Sequence, residues 1–221
     1  MKRVLVNISS RLSRILSVLA LMAALHITSS SFCAQAQNFE RMPDIESELY
    51  GEMAFVNGDY ETMKAVRRFW QTEAQRLKSN RQLEFALTGS NEAVLKVTIP
   101  ARLLFAQSDT AFISSAENNL RPLLRLIKGP TAVASVIVAA YTDNNGSDNY
   151  LNRLSTSRAN SVHRWLARQG VAPTDIHSFG FGNKVPRNKN ANIRERERNR
   201  RVSLYLVPNK SMLRDAKKGK L

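Results

Sequence analysis

Residues Tyr141 to Arg158 read YTDNNGSDNYLNRLSTSR, and the rest of the chain falls into place around them. Just ahead lies Val133 to Ala140, VASVIVAA, short, rich in Val and Ala, and set off by the breaker pair Gly129-Pro130. An apolar run of that length after a breaker predicts a buried strand. Asp143 follows the strand's carboxyl end, and Asn144, Asn145 and Gly146 supply a turn. From about Ser147 the apolar spacing becomes helical, with Leu151, Leu154, Val162, Trp165 and Leu166 largely on one face. Arg158 stands one turn beyond Leu154, at the edge of that face. An acid at a strand end and an arginine on the next helix can therefore face one pocket although they are fifteen positions apart.

Working outward, Leu83–Leu87 and Val94–Ile99 predict two strands across a Gly89-Ser90-Asn91 turn, and Leu103–Phe105 continues the second or starts a short new one. Ser114–Ile127 predicts a helix with Ala116, Leu120, Leu123, Leu124 and Ile127 inward, in which Pro122 is awkward and calls for a later start or a kink. Gly170 ends the helix that carries Arg158. Ile176–Phe179 predicts a strand, Gly180-Phe181-Gly182 a turn, and the alternation Val202, Leu204, Leu206 a final strand. Helices crossing between strands give an α+β sandwich, a mixed sheet with two main helices on one face.

Four ordered pieces, TD-x-x-G at Thr142, LS-x-x-RA at Leu154, GFGN-x-x-P at Gly180 and NRRV at Asn199, make Leu83–Pro208 resemble the OmpA-like peptidoglycan-binding domain. The resemblance implies that Asp143 and Arg158 grip the free stereocentre of diaminopimelate in the peptidoglycan stem peptide, with Thr142, Asn152 and Arg201 as further contacts. Arg201 is the member of NRRV expected to orient Asp143 or the loop before it. The chemistry is apt: a carboxylate accepts from an ammonium, and a planar guanidinium grips a carboxylate in bidentate fashion. Ala140 and Tyr141 stand where the family often has Gly-His, and Leu151 stands where it usually has a ligand-contacting Asn, with Asn152 one step later.

The 221-residue chain has a formal charge of +15. Lys2, Arg3, Arg11 and Arg14 precede a largely apolar stretch, Ile15–Ile27, and then small polar residues ending Ala34-Gln35-Ala36. That order predicts a secretory signal peptide over residues 1–36, cut after Ala36, and with the OmpA-like resemblance it implies a periplasmic protein associated with the outer membrane. Acylation of Cys33 would want a small residue before it, and Phe32 stands there. Residues 184–221 hold thirteen Lys and Arg against three acids, so the basic character belongs to the carboxyl-terminal end. The tail, residues 209–221, reads most simply as a solvated basic end.

Residues 37–81 predict a helical arm or hairpin ahead of the domain at 82–208. One stripe is Ile45, Leu49, Met53 and Val56; the second is Tyr60, Met63, Val66, Phe69 or Trp70, Ala74 and Leu77. GDYETMKAVRRFW resembles half of a tetratricopeptide repeat, but one unit cannot bury its face as a stack would. The stripes pack on each other or on the domain, or else residues 38–80 dock an envelope protein partner. His163 and His177 sit in no metal-ligand spacing, no Walker loop is present, and no cofactor or catalytic set is expected. A pI of about 10.5 invites nucleic acid, but only Tyr205 is interleaved with the basic cluster, so none is expected. Sequence therefore predicts a non-enzymatic peptidoglycan-binding protein, the alternative being an envelope scaffold acting through its arm with a degenerate pocket.

Overall fold

The computed structural model describes residues 58–77, 82–89, 92–128 and 133–221. The expected signal peptide, Cys33, the first apolar stripe and the Gly129-Pro130 breaker lie outside them. In chain order the elements are helix α1 (Tyr60–Leu77), strands β1 (Glu84–Thr88) and β2 (Val94–Pro100), helices α2 (Ala116–Leu120) and α3 (Leu124–Lys128), strand β3 (Val133–Tyr141), helix α4 (Asp148–Arg168), strand β4 (Ile176–Gly180), helix α5 (Ile193–Asn199), strand β5 (Arg201–Pro208) and helix α6 (Lys210–Lys217).

The strands form one mixed sheet in the order β1-β2-β5-β3-β4. Only β3 and β4 are parallel; such a pair needs a crossover, and α4 supplies it. The last strand, β5, inserts between β2 and β3 with antiparallel neighbours on both sides. Its alternation therefore separates two buried faces, and all eight of its residues are buried. Val202, Leu204 and Leu206 join Leu95, Val97, Ile99, Val136, Val138 and Ala140 under α2, α3 and α4. Tyr205 and Val207 join Ile137, Ala139, Tyr141 and Phe181 on the opposite face.

The kink that Pro122 called for is present, and two other expectations need correction. The helix predicted over Ser114–Ile127 is broken by a 3-10 turn at Arg121–Leu123, where Pro122 lacks the N–H a continuous helix would use. Leu103–Phe105 adds no strand; Ala101–Leu103 is a 3-10 turn and Phe105 makes a single bridge to Phe112. The tail is not merely solvated. Asn209 caps α6 by accepting the Met212 N–H at 2.6 Å, and Met212 and Ala216, one turn apart, are buried.

The described half of the arm packs on the domain. Met63, Val66 and Trp70 enter the same core as Met212 and Ala216, and the Trp70 indole N–H donates to the Ala93 carbonyl at 2.8 Å. Glu73, buried, receives Arg76 at 2.6 Å and also pairs with Arg125 of α3, which fastens α1 to the body of the fold.

Candidate functional site

Strand register decides what meets at one end of the sheet. Arg201 pairs with Pro100 on one side and Tyr141 on the other. The residues that follow β2, precede β5 and follow β3 are thereby brought together, and the Ala101 N–H donates to the Arg200 carbonyl at 2.9 Å. The start of α4, the loop at 105–109 and α5 complete a cleft of about 480 Å³. Thr142, Asp143 and Arg158 all line it, as do Leu151, Arg102, Arg196 and Arg200.

Asp143 is 5% exposed. Its Oδ1 accepts the Asn145 N–H at 3.1 Å, which forms the turn, and its Oδ2 is paired with the Arg200 guanidinium. The strand end that carries it is held from the next loop. The Thr142 N–H donates to the Gly182 carbonyl at 2.8 Å, and the Gly182 N–H donates to Ser155 Oγ on α4 at 2.9 Å. The Thr142 hydroxyl is buried in the cleft wall and has no hydrogen-bond partner.

Arg158 is 4% exposed. Its Nε donates to the Asp109 carbonyl at 2.8 Å and its Nη2 to the Ala106 carbonyl at 3.2 Å, and its guanidinium carbon lies 5.2 Å from the centre of the Phe105 ring. Two of the five N–H donors of a guanidinium are thus committed to holding the loop. That loop is tightened by Asp109, whose carboxylate accepts the Thr110 and Ala111 N–H groups, and these bonds hold its pKa below the ordinary value. Burial pushes the Arg158 pKa below its ordinary value, opposed by Tyr150, reinforced by Arg200, and opposed again by Asp109 and Asp143.

Asn152 and Arg201 do not line the cleft. Asn152 is one residue past the cleft-lining Leu151 and turns to the Gly182 loop, where a Cβ on the glycine would collide with its Oδ1. Arg201 stacks on the Tyr141 ring at 3.7 Å and donates to the Val185 carbonyl at 3.0 Å, on the sheet face away from α4. It can steady the strand before the loop, but the side chain on Asp143 is its neighbour, Arg200. The geometry also brings forward Asn199 and Ser155. Asn199, fully buried, accepts the N–H groups of Arg187 at 2.8 Å and Asn188 at 3.0 Å, and so fixes the chain at the root of Arg200. An asparagine that opens NRRV, between a charge run and a strand, was the available signal.

Residues 104–200 match the OmpA family model. The chain is 30% identical over 123 residues to the probable lipoprotein YiaD of Escherichia coli K12, covering 56% of this chain and 55% of that protein. It is 39% identical over 73 residues to the peptidoglycan-binding protein ArfA of Mycobacterium tuberculosis H37Rv, covering 33% of this chain and 22% of ArfA. The chain thus spans about half the length of the first of these relatives and less of the second. Among solved structures, a MotB-like protein from Desulfovibrio vulgaris superposes with a TM-score of 0.58 at 20% identity, over 73% of this chain and 96% of that one, which shows a shared fold. This chain contains an OmpA family domain at residues 104–200.

Proposed function

We propose that the protein binds peptidoglycan non-covalently through the diaminopimelate of the stem peptide, and so contributes to attachment or integrity of the cell envelope. One observation carries this: a buried carboxylate, Asp143, and a buried guanidinium, Arg158, line the same cleft. A carbon bearing both an ammonium and a carboxylate matches that pair. Each charge-assisted contact contributes roughly 1.5–3 kcal/mol net. The unpartnered Thr142 hydroxyl adds a donor and acceptor beside Asp143. Leu151 takes the place of a polar contact, which keeps the affinity for one stem peptide modest, and retention on the wall comes from the density of sites.

The peptidoglycan-binding name of ArfA supports the ligand, and the lipoprotein name of YiaD supports an envelope location. The proposal includes export through the leader at 1–36 and a binding domain at 82–208 buttressed by α1 and α6. The alternative, docking through the arm, has no free apolar stripe on α1, because Met63, Val66 and Trp70 are in the core.

The test is co-sedimentation of the mature protein with isolated sacculi at low and moderate salt. Wild type is expected in the pellet at both, and Asp143→Ala and Arg158→Ala, checked for folding by circular dichroism, in the supernatant. Equal pelleting of the folded variants overturns the site. Pelleting of all forms at low salt alone assigns the binding to the basic surface, whose attraction is screened at moderate ionic strength.

A further inference from the structure

We propose that Arg200 sets the cleft's selectivity for a zwitterionic centre over a lone amine: it holds Asp143 until a ligand offers a cation in exchange and an anion to receive. This rests on the pocket assignment above and adds a residue that the assignment does not contain.

Both oxygens of Asp143 are engaged before any ligand arrives, Oδ1 by the Asn145 N–H and Oδ2 by Arg200. An oxygen has two lone pairs, but two cations crowded on one buried carboxylate repel, so an incoming ammonium competes with the guanidinium for it. Arg200 is able to yield. Its side chain is 36% exposed, against 8% for that of Asp143. A second acid waits one turn back on α5: Glu197 Oε1 lies 3.8 Å from Arg200 Nη2, and its own side chain is 52% exposed. Both residues line the cleft.

The motion is confined to the side chain. Asn199 fixes the backbone on one side of Arg200, and the β5 ladder begins on the other. Arg158 is the opposite case, buried and tied to the Ala106 and Asp109 carbonyls, so it is the stationary cation. The exchange has a chemical consequence. A lone amine breaks the Asp143–Arg200 pair and leaves the guanidinium only the half-exposed Glu197, an acid it already faces and whose attraction water weakens. A carbon bearing both charges gives its ammonium to Asp143 and its carboxylate to the arginines, so the displaced charge is paired again.

Isothermal titration of the mature chain with meso-diaminopimelate and with 1,5-diaminopentane, the same carbon spacing without carboxylates, tests this. Wild type is expected to favour diaminopimelate, and Arg200→Ala to bind the diamine more tightly and narrow the ratio by about tenfold, equivalent to ~1.4 kcal/mol of discrimination. Arg200→Lys, which keeps the charge, is expected to keep most of the ratio. A purely structural role for Arg200 would weaken both probes together. If Arg200→Ala leaves the ratio within about twofold of wild type while Asp143→Ala loses diaminopimelate, the role of Arg200 is overturned and the pocket stands. If wild type binds neither probe, both fall.

Discussion

At Gly180 the absence of a side chain is a packing requirement. A Cβ there would overlap the backbone nitrogen and Cα of Thr156, so β4 and α4 meet nearly backbone to backbone. Gly180→Ala is expected to cost about 2–3 kcal/mol, as over-packing at a site with no room to relax does, and to lower the urea midpoint. Because Thr156 lies two residues before Arg158, the same substitution is expected to weaken wall binding. That Asp143 and Arg158 face one cleft was legible because their relation is local: a strand end, a turn and about three turns of helix fix it within eighteen residues. Arg200 was not. Adjacent residues entering a strand point to opposite faces, and in Arg200-Arg201 composition alone does not say which is which. The register that pairs Arg201 with Tyr141 decides it.

Among the elements, α6 is where composition concealed structure. Five Lys and Arg surround Met212, Leu213 and Ala216, and so dense a charge reads as solvent-facing. The signal was the Asn209 cap followed by apolar residues one turn apart. Met212→Ala is expected to cost about 2–4 kcal/mol by thermal or urea melting, since Met212 is fully buried against the α1 core. Sacculus binding below the melting transition is expected to be unchanged, because no residue of α6 lines the cleft. The break between α2 and α3 was legible from Pro122, whose chemistry acts on its own turn. The burial of every residue of β5 was not, because it depends on a strand from far back in the chain arriving beside it.

At the scale of the whole molecule, stability responds to acid in two windows. Burial holds the His163 pKa below its ordinary 6.5, with His177 and Arg164 adding to the effect. Below that value the unfolded chain binds the proton more readily, so stability falls as pH drops from 6.5 toward the folded-state pKa. Asp59 and Asp109 are held below their ordinary 3.8 chiefly by backbone N–H bonds, from Thr62 and from Ala111. Their contribution is present above 3.8 and is lost only as pH falls through the lower folded values. Calorimetry is expected to show the Tm declining between pH 7 and 5, with that part of the decline reduced in His163→Gln.

Trp70 and Trp165 are the chain's two tryptophans, 0% and 1% exposed, and both lie in the core beneath the sheet. Neither lines the cleft, whose aromatic walls are Phe105 and Tyr150. The indole emission of this protein is therefore that of an apolar interior. It registers melting of the core, and because neither indole borders the cleft, occupation of the site places no ligand against either ring.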